Sequence, residues 1–426
     1  MDQEANTTTA PGTARDALRV PAFRNLLIAT FISNCGRWLQ FAALGILGWE
    51  LTGSNAFLGQ LIFAQLAPLG ILSLVGGSLA DTIDRRKLLV VTQVWQMTWT
   101  FILAAALLDG TIGEGALLLL VFIIGLGQGI YAPAFASILP LVAGAENVRA
   151  AVSLNSVQIN GARIVGPAIG GILAATLGFA ELFAINATTY LVVIGVIATM
   201  TFPKPKATST KLSERLFGGF QIIRRAPQVR TPITLMALFA FFSLPFIGQL
   251  PAIAEVNLGI PSDSQDYAWF FATFGAGALV GAVLVGTVLL SFPRPLLVRL
   301  TLLGFAASLA WLATLRSPGL GYVAIFLVAL FYFVLPTALA SHWQEHVAES
   351  VRGRIAALWV LSFGGVIPIA NLVGGRFVEA TSLGSLMFVG VGAAIILGLA
   401  FRLRTGDIVD ESIIATPVQD TLKSPA

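Results

Sequence analysis

Long stretches without a charged side chain constrain this sequence more than any other feature. A helix needs about 20 apolar residues to cross the hydrocarbon core of a bilayer. Nine runs free of Asp, Glu, Lys and Arg meet that need, at 51–80, 88–108, 115–145, 182–203, 231–254, 267–293, 317–344, 355–375 and 380–401. Only 11% of the residues are charged, whereas soluble domains carry about 25%. The pattern therefore predicts a polytopic α-helical membrane protein.

Three further segments complete the predicted set of membrane spans. The run 300–315 is extended by apolar residues before Arg299, and the segments 25–49 and 150–180 are apolar apart from one arginine each. This gives twelve predicted spans. The runs are continuously apolar rather than alternating, which argues against a membrane β-barrel.

The basic residues predict the orientation of these spans. Lys and Arg accumulate in cytoplasmic loops of membrane proteins. Here they gather before the first span, after the second span and in the loop 204–230. We therefore expect a multi-pass protein of a bacterial-type inner membrane with both termini in the cytoplasm.

The loop 204–230 divides the predicted spans into six and six. Gly77 and Arg85 near the end of the second span recur as Gly286 and Arg294 after the eighth, at the same spacing. Repeated halves of this kind are a transporter architecture. The predicted organisation is a cytoplasmic tail 1–22, a six-helix bundle 23–203, a cytoplasmic central loop 204–230, a second six-helix bundle 231–404 and a cytoplasmic tail 405–426.

The loop after the second span carries a dense set of small and charged residues. It reads Gly-Ser-Leu-Ala-Asp-Thr-Ile-Asp-Arg-Arg-Lys from position 77. A glycine permits close helix approach, and a carboxylate is favoured near a helix N-terminus. Such a set can hold the cytoplasmic side of a transporter shut, although a plain basic loop explains it too. The candidate gate residues are Gly77, Asp81, Asp84, Arg85 and Arg86.

The fifth span holds a second motif, made of glycines around one proline. Its residues are Gly161, Gly166, Pro167, Gly170 and Gly171. Proline removes one intrahelical hydrogen bond and kinks a helix, and the glycines form a smooth face for tight packing. Glycine and proline are also common in ordinary membrane helices, so both interpretations stay open.

The two motifs together resemble the signatures of the major facilitator superfamily, in its second-to-third loop and in the fifth span of its exporters. Residues 21–24 and 351–354 are similar to the enterobactin-exporter-like branch, which includes siderophore and drug efflux proteins. The resemblance implies an all-α fold of two six-helix bundles, alternating access, and a central cavity lined by the first and fifth spans. Many relatives carry an arginine three residues before a Gln-Gly pair. Here the pair is Gln128-Gly129, and Gly125 stands where those relatives have the arginine, which leaves proton antiport in doubt.

Two arginines fall deep in predicted spans, Arg37 in the first and Arg163 in the fifth. An ionised group there costs about 2.5–3.5 kcal/mol or more and usually faces a cavity or a partner. The spans offer no deep acid, so two cations favour an anionic substrate. Arg163 could instead bond backbone carbonyls of a neighbouring helix. The candidate substrate-binding residues are Asn34, Arg37, Gln40, Gln128, Gln158, Asn160 and Arg163, with Asn155 as a further neutral partner.

Aromatic side chains suggest an apolar, ring-binding part of the cavity. For each one, packing or lipid contact is an equally simple role, since Trp and Tyr also anchor helices at the interface. The candidates are Trp38, Phe41, Phe241, Phe242, Phe246, Trp269, Phe270, Phe271 and Phe331.

Several function classes are disfavoured. A single cysteine, Cys35, and two histidines, His342 and His346, give no basis for a metal site. The sequence offers no paired catalytic groups and no phosphate-binding loop, so we expect neither an enzyme nor a cofactor. The net charge of +4 is spread over short loops and does not indicate nucleic acid binding. The expected partners are a small-molecule substrate, the bilayer and, as a candidate coupling ion, the proton, with the protein as a monomer.

These observations predict an inner-membrane secondary transporter that exports a small amphipathic or anionic compound, such as a siderophore, an antibiotic or another metabolite. Two alternatives remain from the sequence. One is an importer of an organic acid on the same fold, which the fifth-span motif argues against. The other is a membrane receptor without transport activity.

Overall fold

The computed structural model describes residues 12–108, 110, 112–174, 177–203, 221–403 and 408–410. Apart from one bridge between Val347 and Val409, the regular structure of these residues is helical. The principal helices are α1 Ala14–Arg19, α2 Pro21–Thr52, α3 Asn55–Thr82, α4 Arg85–Leu108, α5 Glu114–Ala143, α6 Val148–Ala174, α7 Phe179–Ala198, α8 Pro227–Ser243, α9 Gln265–Gly286, α10 Arg294–Thr314, α11 Pro318–Glu345, α12 Glu349–Val360, α13 Val366–Ala380 and α14 Leu383–Ala400.

Each predicted span coincides with one of these helices or with a pair of them. Within the described part of the chain, nine stretches are long and apolar enough to cross a membrane: Asn55–Leu72, Arg85–Leu108, Glu114–Ala143, Phe179–Ala198, Gln265–Gly286, Arg294–Thr314, Pro318–Glu345, Arg354–Ala380 and Leu383–Ala400. The other three predicted spans fall on α2, α6 and α8. The helical membrane fold is therefore confirmed, and the number of twelve spans stays a prediction.

The segment predicted as one span at 231–254 is broken. Helix α8 ends at Ser243, and a 3-10 turn, Pro245–Ile247, and a π-helical turn, Ile253–Asn257, follow it. Pro245 and Pro251 explain the break, because proline supplies no backbone N–H and clashes with the preceding turn. A second π-helical turn, Leu361–Gly365, joins α12 to α13.

Residue packing divides the described chain into two compact units. Unit 1 takes the described residues of Met1–Leu44, Val75–Thr208 and Asp263–Gly275, and unit 2 takes those of Gly45–Leu74, Ser209–Ser262 and Ala276–Ala426. The division follows packing rather than chain order, so the predicted bundles 23–203 and 231–404 stay a prediction.

Unit 1 is built around α4, which packs against α5 and α7. Its core joins the first turns of α2 to the last turns of α5 and α7, through the fully buried Phe23, Ile138 and Val193. Helix α1 closes this end. A capping box between Thr13 and Asp16 starts α1, and the Thr13 hydrogen bonds hold the pKa of Asp16 below its ordinary value.

Unit 2 centres on α10, which packs against α11 and α14. Aromatic side chains fill the space between α8 and α10, where the rings of Phe239 and Phe305 meet edge to face with centroids 4.9 Å apart. At one end of the unit, the backbone N–H of Val409 donates to His346 O, and that of Ala348 donates to Val409 O, each over 2.9 Å. This pairing ties residues after α14 to the connection between α11 and α12.

Candidate substrate site

The glycine motif of the fifth span forms the face by which α6 packs on α2. A Cβ built on Gly166 would lie 2.5 Å from the Cys35 carbonyl oxygen and 2.9 Å from Trp38 Cβ. A Cβ on Gly170 would lie 3.1 Å from Leu39 Cγ, whereas one on Gly161 would make an ordinary 3.5 Å contact with Phe31. Pro167 is buried within the same helix, and the Gly171 side-chain position lies outside the described residues. The motif thus sets how closely α6 approaches α2.

This close approach brings Arg163 onto an aromatic ring. The guanidinium carbon of Arg163 lies 4.7 Å from the centroid of the Trp38 ring, within the range of a cation–π interaction. The backbone oxygen of Arg163 faces α9, where a Cβ added to Gly275 would lie 2.6 Å from it. Both faces of this turn of α6 are therefore closely packed, and the long arginine side chain extends to α2.

A row of aromatic rings continues from Trp38. Its ring centroid lies 5.3 Å from that of Phe41, which lies 6.1 Å from that of Phe271 on α9. Phe271 is buried, whereas Trp38 and Phe41 are partly exposed. Three candidates from the sequence thus form a row of ring contacts that begins at Arg163.

The indole N–H of Trp38 is a buried donor with no hydrogen-bond partner among the described atoms. A buried donor without an acceptor is costly. A guanidinium beside it is also a donor and accepts nothing. The pair is therefore suited to a ligand rich in acceptor oxygens, such as a carboxylate or a phenolate, with a ring to stack on Trp38 or Phe41.

Four of the five neutral substrate-site candidates form hydrogen bonds with other side chains or with the backbone. Asn34 on α2 donates to Gln158 on α6 over 3.0 Å, and Gln158 donates to Asn155 over 3.1 Å. The buried Gln40 accepts from Asn186 on α7. The side-chain amide of Asn160 donates a hydrogen bond to the Ser156 carbonyl oxygen over 2.9 Å. Gln128 on α5 is partly buried.

Arg37 directly precedes Trp38 on α2 and has neighbours on two other helices. It lies close enough to the buried hydroxyls of Tyr131 on α5 and Tyr190 on α7 to interact with them electrostatically. Sequence reasoning missed both tyrosines. Each lies inside a long apolar run, where an aromatic residue is most simply explained by packing, so no pattern marked them as partners of a cation.

The predicted cytoplasmic gate is described only in part. The surroundings of Gly77 and the side chain of Asp81 lie outside the described part of the structure. The carboxylate of Asp84 accepts a hydrogen bond from the Lys87 N–H over 3.1 Å and thereby caps the N-terminus of α4. Arg85 is partly buried and Arg86 is exposed. Asp84 therefore caps a helix, and its role in the gate stays a prediction.

A contact that the sequence did not predict joins α3 to α13 within unit 2. Glu379 on α13 accepts hydrogen bonds from the Ser54 hydroxyl and, over 3.1 Å, from the Ala56 N–H at the start of α3. Cβ atoms added to Gly59 and Gly375 would lie 2.3 Å from Asn371 O and 2.4 Å from Asn55 O. The two helices thus touch backbone to backbone. The Gly374-Gly375 pair, which parallels Gly170-Gly171 in the sequence, is the signal that could have indicated this contact.

Comparison with known proteins places the chain in a family. The family model described as transmembrane secretion effector matches residues 12–422. The enterobactin exporter EntS of Shigella boydii serotype 4 is 25% identical over 382 residues, which cover 88% of this chain and 90% of that exporter. EntS of Escherichia coli O1:K1 is similar to the same extent.

Solved structures of other transporters share the fold. A nucleoside transporter superposes with a TM-score of 0.73 at 12% identity, over 89% of this chain and 98% of that one. A D-xylose–proton symporter superposes with a TM-score of 0.67 at 17% identity, over 87% and 96%. At these identities the likeness concerns the fold alone.

Proposed function

Because the chain belongs to the transmembrane secretion effector family of major facilitator transporters, we propose that it exports a small amphipathic, anionic compound from the cell. A siderophore, an antibiotic or another acidic metabolite fits this description. The relatives named enterobactin exporters support the direction and the siderophore class. The proposal includes twelve spans in two six-helix bundles and both termini in the cytoplasm.

The observation that carries the proposal is the stacking of Arg163 on Trp38 at the end of a row of aromatic rings. A cation within a membrane span is costly and usually serves a function. Here an aromatic anion gains twice, through charge at Arg163 and through ring contact at Trp38 and Phe41. A hydrophobic cation is disfavoured as cargo, because the site offers it the positive charge of Arg163 and two hydrogen-bond donors, the guanidinium and the Trp38 N–H.

The electrostatic balance of the spans also favours an anion. Within the described helices, acidic residues occur only in the first or last turns, as with Glu50 on α2, Glu181 on α7 and Glu379 on α13. Arg37 and Arg163 lie away from those turns. A negatively charged cargo would therefore be attracted to these two positive charges.

Alternating access is the mechanism we propose. Glycines let α3 and α13 meet backbone to backbone, and hydrogen bonds to Glu379 hold the beginning of α3. A contact with so few interlocking side chains can separate and re-form at small cost, since no bulky group must repack. The charged loop at 77–87 is the proposed counterpart on the cytoplasmic side, and the proton is the proposed coupling ion.

Transport direction is the first test. Cells that lack their own siderophore exporters, with and without this protein, are loaded with radiolabelled enterobactin, and its loss is compared with its uptake by unloaded cells. We expect faster loss from the protein-containing cells and unchanged uptake. Accelerated uptake with unchanged loss would identify an importer and overturn the proposal. If neither rate changes, the same measurement with aromatic acids and their neutral amides tests the cargo class.

A further inference from the structure

A crevice of about 560 Å³ opens at the end of unit 1 that carries α1. The first turn of α2, the last turn of α5, the end of α7 and the residues after α7 form its walls. Pockets of about 300–1,000 Å³ are the usual size for a small ligand. None of the candidate substrate residues lines this crevice.

The lining of the crevice combines apolar and polar side chains. Leu141, Val196 and Met200 supply apolar wall, whereas Asn25 and Thr199 supply polar groups. Gly195 lies in the last turn of α7, and Thr199 directly follows the helix. The crevice therefore offers both apolar and polar contacts to an amphipathic ligand.

Exposed apolar side chains lie near the crevice on two of its helices. Ile28 follows Asn25 by one turn on α2 and is 52% exposed, and Leu191 precedes Gly195 by one turn on α7 and is 51% exposed. In a protein that spans a bilayer, exposed side chains of this kind contact acyl chains. The crevice thus lies beside surface that lipid covers.

A positive charge beside the crevice favours an anion. Arg24 is exposed and lies between the lining residues Ala22 and Asn25 in the first turn of α2. The N-terminus of a long helix such as α2 attracts negative groups, and basic sites beside membrane helices bind anionic headgroups. The lining contains no acidic side chain.

We propose that this crevice is a binding site for an anionic glycerophospholipid. One acyl chain lies along Gly195, Val196 and Leu141, and the phosphate lies beside Arg24 and the first turn of α2. A zwitterionic lipid has the same chains but gains less at Arg24, and a soluble anion gains nothing from the apolar wall. The site is separate from the Arg163–Trp38 pair, so the two proposals can fail independently.

Gly195 gives a direct way to fill the crevice. A Cβ added there meets nothing within 4 Å, so Gly195→Phe places a ring in the space without displacing a neighbour. Gly392 on α14 also has nothing within 4 Å, and Gly392→Phe is the matched control. Arg24→Gln removes the charge and leaves the walls intact.

The test uses the full-length protein in vesicles of equal parts phosphatidylglycerol and phosphatidylcholine. After mild detergent extraction, native mass spectrometry counts the lipids retained by monodisperse protein. We expect excess phosphatidylglycerol on the parent and on Gly392→Phe, and none on Gly195→Phe. Arg24→Gln should lower the preference about fivefold. Equal retention of both lipids by the parent, or an undiminished excess on Gly195→Phe, would overturn the proposal.

A second measurement avoids the bulky substitution. Cys35 is the only cysteine, so Gly195→Cys in a Cys35→Ser background carries one thiol, inside the crevice. Its alkylation by a maleimide should be slower in phosphatidylglycerol vesicles than in phosphatidylcholine vesicles. Equal rates would show that the headgroup does not affect occupancy, which contradicts an anionic lipid site.

Discussion

At the scale of single residues, the contact between Arg163 and Trp38 depends on a third residue, Gly166. Arg163 and Trp38 were both candidates, the first for its charge in a span and the second for its ring. Their stacking depends on the distance between α2 and α6, which Gly166 sets. Arg37 shows the limit of the sequence. Its tyrosine neighbours come from two other helices and leave no local pattern.

Trp38→Phe separates the indole donor from the ring. The variant keeps an aromatic face for Arg163 but removes the buried N–H. If the N–H donates to an anionic cargo, KM for that cargo should rise about tenfold, since hydrogen bonds to charged groups contribute about 1.5–3 kcal/mol, and the maximal rate should change little. Transport assays in proteoliposomes measure both constants.

Trp95→Phe is the control for this prediction. Trp95 is 41% exposed and donates its indole N–H to the Ile123 carbonyl oxygen on α5, far from the α2–α6 contact in sequence. Trp95→Phe therefore also removes one indole N–H donor. A similar rise of KM in both variants would show that Trp38 acts through protein stability rather than through the cargo.

At the scale of helices, glycine determines the contacts that the proposed mechanism uses. The fifth-span motif packs α6 on α2, and Gly59 and Gly375 bring α3 against α13. The sequence predicted the first of these contact faces from its motif. It could not predict the partner helix, because a row of small residues does not specify which helix packs against it.

Gly166→Val tests the α2–α6 contact. Its Cβ would lie 2.5 Å from the Cys35 backbone oxygen, which cannot rotate away. We expect a loss of about 1–3 kcal/mol in the free energy of unfolding, visible as a lower Tm in detergent. Gly161→Ala, in the same motif, gains an ordinary contact with Phe31 and should keep the parent's Tm. Equal Tm values for all three proteins would refute the packing argument.

Glu379→Ala tests the α3–α13 contact. The variant removes the acceptor of the Ser54 hydroxyl and the Ala56 N–H. Amide exchange in the first turn of α3 should accelerate about fivefold, as expected for a lost helix-capping interaction of about 1 kcal/mol. Hydrogen-exchange mass spectrometry measures the change. Arg376→Ala, an exposed neighbour on α13, should leave the exchange unaltered, and the same acceleration in it would point to general loosening of α13.

At the scale of the whole molecule, hydropathy predicted nearly everything about helix positions and little about their packing. Apolar runs located the helices, because the bilayer requires long, internally hydrogen-bonded segments. Each packing unit combines segments that are far apart in the chain, and no one-dimensional pattern encodes that combination. The break after Ser243 was readable in principle from Pro245 and Pro251, but the apolar character of the segment concealed it.

The orientation of the chain yields a prediction at this scale. The basic loops predict that both termini lie in the cytoplasm. Fluorescent protein fused to either end should therefore fluoresce in the cytoplasm, and alkaline phosphatase fused to either end should be inactive. An active phosphatase at one terminus alone would mean an odd number of spans and would contradict two equal halves.

The central claim is that Arg163 selects an anionic cargo, and the most direct measurement compares one aromatic acid with its neutral amide. Initial transport rates of both probes are measured in proteoliposomes for the parent, Arg163→Gln and the exposed control Arg230→Gln. The account predicts a loss of about tenfold or more for the acid in Arg163→Gln alone, with the amide unaffected. If Arg163→Gln transports the acid as well as the parent, or loses both probes equally, the claim is contradicted.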